Sequence, residues 1–157
     1  MTDMADAEHD LVLTREIEAP RDKVWRCWVE PELLKQWFCP KPWFVSEARI
    51  DLRPGGEFLT LMNGPNGEQF GDQGVFLEIV DKERLVFTDA FRPGWRPSGR
   101  AFMAAEVMLA DAGAGKTRYV GRAMHWTAEA RKEHEDMGFH EGWGKAADQL
   151  EALARTL

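Results

Sequence analysis

Apolar and polar positions alternate in twos along "LVLTREIEAP", with Leu11, Leu13 and Ile17 on one face and Val12, Thr14 and Glu16 on the other. That is the period of a half-buried strand. Arg15 falls on the apolar side, and a lone buried charge is too costly, so it belongs at an exposed edge or against a carboxylate. The period then lengthens. Pro20 opens a helix over "PRDKVWRCWVE" with Val24, Cys27 and Trp28 on one stripe, and Pro31 opens a second short helix, "PELLKQWF", which "CPKPW" ends. Alternation returns in "FVSEARIDL", with Phe44, Ala48, Ile50 and Leu52 on one face, and in "EFLTLMNG", "GVFLEIV", "RLVFTDAF", "RAFMAAEVMLA" and "KTRYVGRAMHW". The turns between them are "RPGG", "NGPNG", "DKE", a longer loop "RPGWRPSG" carrying Trp95, and "DAGAG". Such short connections make the sheet antiparallel.

The chain closes on a helical period. Trp143, Ala146, Ala147, Leu150, Leu153, Ala154 and Leu157 recur at three- and four-residue steps. Extended backward, this face meets Phe139, His140 and Asp136 and passes Gly138, Gly142 and Gly144. Each glycine costs about 1 kcal/mol relative to Ala in a helix interior, so a helix that only packed would avoid them. We expect this end to roof a cavity. Thr127 is the expected N-cap, with Glu129 in the first turn and Gly138 as a kink point. A helix from there to Leu157 spans roughly 40 Å, enough to cross a sheet. The expected class is α+β: a curved antiparallel sheet of about seven strands around a long C-terminal helix, with two short helices after the first strand.

Composition narrows the function. The 157 residues suit one domain, taken as 11–157, behind an acidic tail over residues 1–10 expected to be disordered. A net charge of -7 with no basic stripe argues against nucleic acid. No apolar run reaches the roughly 18 residues of a membrane span. Cys27 and Cys39 read as buried thiols in a reducing cytoplasm. Metal is not expected: there is no C-x-x-C or H-E-x-x-H, and His134 and His140 are six apart, on different helix faces. No cofactor motif is present either; "GFHEGWG" lies inside a helix and follows no strand-to-helix turn. Seven tryptophans and nine phenylalanines fill a core or line an apolar pocket.

The segments "IEAPRDKVWRCWVEPELLKQWF", "DLRPGGEF", "GVFLEIVDKERLVFTDAF" and "GFHEGWGKAADQLEAL" resemble the bacterial single-domain members of the Hsp90-ATPase-activator-homologue group. That resemblance, from about Leu11 onward, implies the helix-grip fold of the START-like, polyketide-cyclase-like superfamily, also called Bet v 1-like, with a cavity between long helix and sheet. Strand parity supplies the lining. Glu57 outward turns Phe58, Thr60 and Met62 inward; Leu85, Phe87 and Asp89 share a face. Glu106 outward leaves Met103, Ala105 and Val107 inward, and Arg118 and Arg122 outward leave Tyr119, Gly121, Ala123 and His125 inward. With Trp28 and Trp37 from the short helices and His140 and Trp143 from the long one, these give the expected ligand lining.

Asp136 and His140, four apart, suggest a carboxylate-oriented histidine for general acid–base work, while His134 and Glu141 fall on the solvated side. Three readings stay open. One is a carrier or sensor of a small apolar or aromatic ligand. Another is a cyclase- or hydrolase-type enzyme using the same cavity, with His140 as acid–base group. The third, implied by the resemblance, is a module contacting an Hsp90-type chaperone. Exposed sheet edges and loop aromatics such as Trp95 also offer a route to a homodimer.

Overall fold

The computed structural model describes residues 6–157 and contains a seven-stranded antiparallel sheet. β1 (Asp10–Ile17) leads through α1 (Arg21–Val29) and α2 (Pro31–Leu34) to β2 (Phe44–Ile50). A meander follows through β3 (Glu57–Asn63), β4 (Gln69–Val80) and β5 (Arg84–Thr88). A small ribbon, β6 (Phe91–Arg92) and β7 (Arg96–Pro97), precedes β8 (Ala104–Asp111) and β9 (Thr117–Met124). Two helices finish the chain: α3 (Ala128–Asp136) and α4 (Phe139–Ala154). Across the main sheet the order is β1-β9-β8-β5-β4-β3-β2. First and last strands pair, so α1 and α2 must carry the chain from one sheet edge to the other. The architecture is the expected α+β helix grip.

α4 packs as its periodicity demands. Phe139, Ala146, Ala147, Leu150 and Ala154 are buried, in one core with Leu11, Ile17, Trp25, Leu109 and Ala123. Each fully buried Leu or Phe is worth roughly 1.5–3 kcal/mol over leaving it in water. Arg15, on the apolar side of β1, lies across α4 at Gly144, where an added Cβ would meet its Nη2 at 2.6 Å, and its Nε is 3.9 Å from Asp148. The edge-and-carboxylate expectation and one of the odd glycines thus have a single explanation. Nothing lies within 4 Å of a Cβ at Gly142, and that glycine has no structural explanation.

Three local expectations are corrected. The single long helix is two. Thr127 does cap the first, its Oγ1 accepting from the Ala130 N–H at 3.0 Å, but the helix stops at Met137 and Gly138 takes a left-handed φ of 94°. Glycine just past a helix end adopts that conformation without a Cβ penalty. In β2 a bulge between Val45 and Glu47 lets Val45 share the inner face with Ala48 and Ile50, leaving Phe44 54% exposed. One extra residue flips the faces on one side of it. The loop "RPGWRPSG" holds the β6–β7 ribbon. Of the tail assigned to residues 1–10, residues 1–5 lie outside the described residues; the Asp6 carbonyl accepts from the His9 and Asp10 N–H groups, and Asp10 begins β1.

Candidate functional site

Register brings one set of side chains to the inner face between β2 and β8. Ile50 pairs with Phe58, Phe58 with Gly74, Phe76 with Phe87, and Phe87 with Ala105. Directly opposed residues share a face, so the aromatics converge. Phe58 stacks on Phe76 at 5.1 Å between centroids and meets Phe87 edge-on at 4.8 Å. α1 and the turn after α2 add Trp28, Trp37 and Phe38, with Trp28 and Trp37 at 4.9 Å and Phe38 at 5.9 Å from Phe58. Edge-to-face pairs of this kind add about 0.5–1.5 kcal/mol each beyond area burial.

The indole donors are consumed within the wall. Trp28 Nε1 donates to Tyr119 Oη at 3.2 Å and Trp37 Nε1 to the Cys27 carbonyl at 2.9 Å. Burial pushes the Tyr119 hydroxyl pKa up, and it pushes the Cys27 and Cys39 thiols up to about 11, so both cysteines are unreactive packing residues. Trp143 of α4 sits over β9, where a Cβ on Gly121 would be 3.3 Å from its ring. Trp28, Trp37, Phe58, Phe76 and Tyr119 are buried, yet Phe38, Phe87, Met103 and Trp143 are only partly so.

A polar group borders these rings. Thr60 pairs with Asp72 across β3 and β4, on the face of Phe58. Thr60 is 3% exposed, and among the described residues its hydroxyl has no hydrogen-bond partner. Asp89 lies just past β5 with its Oδ1 accepting from the Phe102 and Met103 N–H groups at 2.9 and 3.3 Å. Burial raises the Asp72 pKa, the Asp89 charge raises it further, and Arg100 pulls it back. Arg100 itself lies over the Phe70 ring, 5.1 Å from its centroid.

The histidines are arranged otherwise than expected. His140 is not at the wall: its side chain is 58% exposed, 3.5 Å from Glu135. Asp136 is 64% exposed and pairs with Lys132. The break at Gly138 puts the two on different helices, so the inward face of α4 does not continue into α3 as one helix would carry it. Asp136 does not orient His140; the carboxylate beside that imidazole is Glu135, at the exposed surface. His134, expected in solvent, is the buried one at 8% exposure. The His9 carbonyl can only accept, so His125 Nδ1 donates to it at 2.7 Å; His125 Nε2 then accepts from His134 Nδ1 at 2.9 Å. Burial, with His125 alongside, lowers the His134 pKa to about 4. Phe102, Phe139 and Trp143 surround that ring.

Two open hollows lie elsewhere. One of about 890 Å³ is lined by Arg53, Gly55, Arg92 and Trp95, and one of about 440 Å³ lies on the outer sheet face around Val12, Arg84 and Arg118. Neither includes a residue of the expected lining. Asp6, Glu8 and His9 bring metal-type donor atoms within 4.8 Å of one another, but at the surface and hydrogen-bonded among themselves. No helix of the described residues is long and apolar enough to cross a membrane.

The profile for "Activator of Hsp90 ATPase homolog 1-like protein" matches residues 18–155. The chain belongs to that family. A crystallised protein from Nitrosomonas europaea is 51% identical, with 97% of each chain covered and a TM-score of 0.93. One from Mycobacterium smegmatis is 25% identical over 96% of this chain and 93% of the other, at 0.81. The AHSA1-like protein of Aeromonas hydrophila, at 20% identity and 93% coverage of each chain, shares the fold at 0.65. Among curated proteins nothing matches.

Sequence reasoning missed Asp72 and assigned His134 to the solvated side. Asp72 lay ahead of the strand assigned to "GVFLEIV", because "QFGDQ" is polar and carries a glycine, yet β4 begins at Gln69. Its signal was positional: the hairpin at "NGPNG" sets Thr60 opposite Asp72 once both strands run to the turn.

Proposed function

We propose that this protein binds a small aromatic or apolar molecule against the concave face of the sheet, as a carrier or sensor. One observation supports the reading above others. Phe38, Phe87, Met103 and Trp143 stay partly exposed beside fully buried rings of the same wall. Apolar surface left open on the inner face of a fold costs about 25 cal/mol per Å² until something covers it. A flat aromatic body would stack on Phe87 or Trp143 and cover it. The unreactive thiols, the neutral His134 and the solvent-side His140 favour binding over turnover. A chaperone-contacting role rests on membership in the Hsp90 ATPase activator homolog family alone.

Native mass spectrometry of protein purified from its own host, followed by extraction of the bound compound, tests the reading. A stoichiometric aromatic or apolar molecule that a Phe87→Ala variant fails to retain is the expected result. An empty protein whose fluorescence no aromatic compound quenches saturably would overturn it.

A further inference from the structure

We infer that the ligand carries a protonated amine, seated against Asp72, Asp89 and Thr60 where β3, β4 and β5 meet the inner face. This rests on the binding reading above and specifies the charged end of the same ligand.

The geometry is of a seat built from acceptors. Asp89 is fixed, because two backbone N–H groups hold its Oδ1 and leave Oδ2 free. Asp72 has no hydrogen bond or ion pair among the described residues. Thr60, directly across from it, is 97% removed from solvent with an unused hydroxyl oxygen. A core threonine in that position would ordinarily bond a carbonyl, as Thr117 Oγ1 does to Ala19 at 2.7 Å and Thr88 Oγ1 to Met103 at 2.9 Å. Asp72 and Asp89 are half-buried beside buried Thr60, so their unused oxygens are acceptors still open to a partner from outside the chain.

The charge sets the partner's sign. Asp72, Asp89 and Arg100 are the ionisable groups that act on one another here: two negative against one positive. Arg100 is stacked over Phe70 and forms no ion pair with either carboxylate. One cation balances the seat. An anion would meet two carboxylates, and a neutral alcohol would leave one charge desolvated and unpaired. The rings nearby suit an ammonium group as well: Phe58 is two residues from Thr60 on the same face of β3, and Phe70 is two from Asp72 on the same face of β4. An ammonium donates three hydrogen bonds, one for each acceptor residue.

Isothermal titration calorimetry with 2-phenylethylamine and 2-phenylethanol near pH 7 separates charge from ring. The amine should bind at least about tenfold more tightly, in keeping with a charge-assisted contact. Asp72→Asn, which keeps side-chain shape, should reduce the amine to the level of the alcohol and leave the alcohol unchanged; Phe87→Ala should weaken both alike. Equal affinities for the two compounds in the unaltered protein would overturn the amine assignment and leave the aromatic-binding reading standing. Saturable binding of neither would overturn both. Preference in the unaltered protein that survives Asp72→Asn, with circular dichroism unchanged, would remove Asp72 from the seat and overturn the assignment as stated.

Discussion

The two faces of the same sheet treat charge in opposite ways. On the outer face Glu106, 5% exposed, receives Arg84 Nε at 2.6 Å and Arg122 Nη1 at 3.3 Å, while Arg84 also reaches Glu78 and Arg122 lies 3.9 Å from Asp10. Register explains the pairing, since Glu106 and Arg122 are directly opposed across β8 and β9. On the inner face Asp72 is opposed by Thr60, and neither it nor Asp89 has an ion-pair partner among the described residues. A fold that closes one charge cluster so completely is able to close the other. The unpaired set sets the inner face apart from the outer one, where the paired set ties β5, β8 and β9 together.

Removing a carboxylate from each cluster gives the largest separation. Glu106→Ala leaves Arg122 buried without its opposed partner and should lower stability by about 3–5 kcal/mol. Asp72→Asn removes a partly desolvated charge that repels Asp89 and that Arg100 only partly offsets, and stability should hold or rise. Urea unfolding midpoints check both. Equal losses would mean that Asp72 is as structural as Glu106 and would erase the difference between the faces.

pH sharpens the same contrast through two inward groups with opposite signs. His134 titrates at about 4 in the fold against 6.5 in the unfolded chain, so the unfolded state binds more protons between those values. Its contribution is complete above about 6.5 and is lost as pH falls through about 4. Asp72 is raised, so the fold favours its protonated form, and its contribution is present below 3.8 and lost as pH rises through the folded value. Thermal melts of the unliganded protein should lose stability from pH 6.5 toward 4. His134→Gln should flatten that limb, and an unchanged limb would show that another group titrates there.

How much of this was legible depended on whether a pattern survives local irregularity. Period-two alternation placed Phe58, Thr60, Phe87 and Tyr119 on one face because β3, β5 and β9 run without interruption where those residues sit. It misplaced Phe44, because the bulge after Val45 shifts the register by one residue. The 3.6 period located the buried stripe of α4, then failed on crossing Gly138, where a single positive φ separates the helices and gives the inward position to His134 instead of His140. Side-chain partners were the least visible part. The His9 carbonyl that orders both imidazoles comes from a turn 116 residues away from His125, and nothing in composition or spacing announces it.

The smallest expected effect is also the most discriminating one, because it compares two threonines of equal burial. Thr117 is 0% exposed and donates to the Ala19 carbonyl; Thr60 is 3% exposed and has no partner among the described residues. Valine is close to threonine in shape, so each Thr→Val change removes a hydroxyl and little else. Thr117→Val leaves a buried carbonyl unsatisfied and should cost about 1–2 kcal/mol. Thr60→Val removes a hydroxyl that makes no bond in the unliganded chain, and should be neutral or stabilising by up to about 1 kcal/mol. Denaturant titration resolves the difference if both variants keep the same dependence on urea. A Thr60→Val loss as large as that at Thr117 would place a structural partner on the Thr60 hydroxyl. A gain would mean the fold keeps that oxygen at a cost to its own stability, as expected of a group held ready for a ligand.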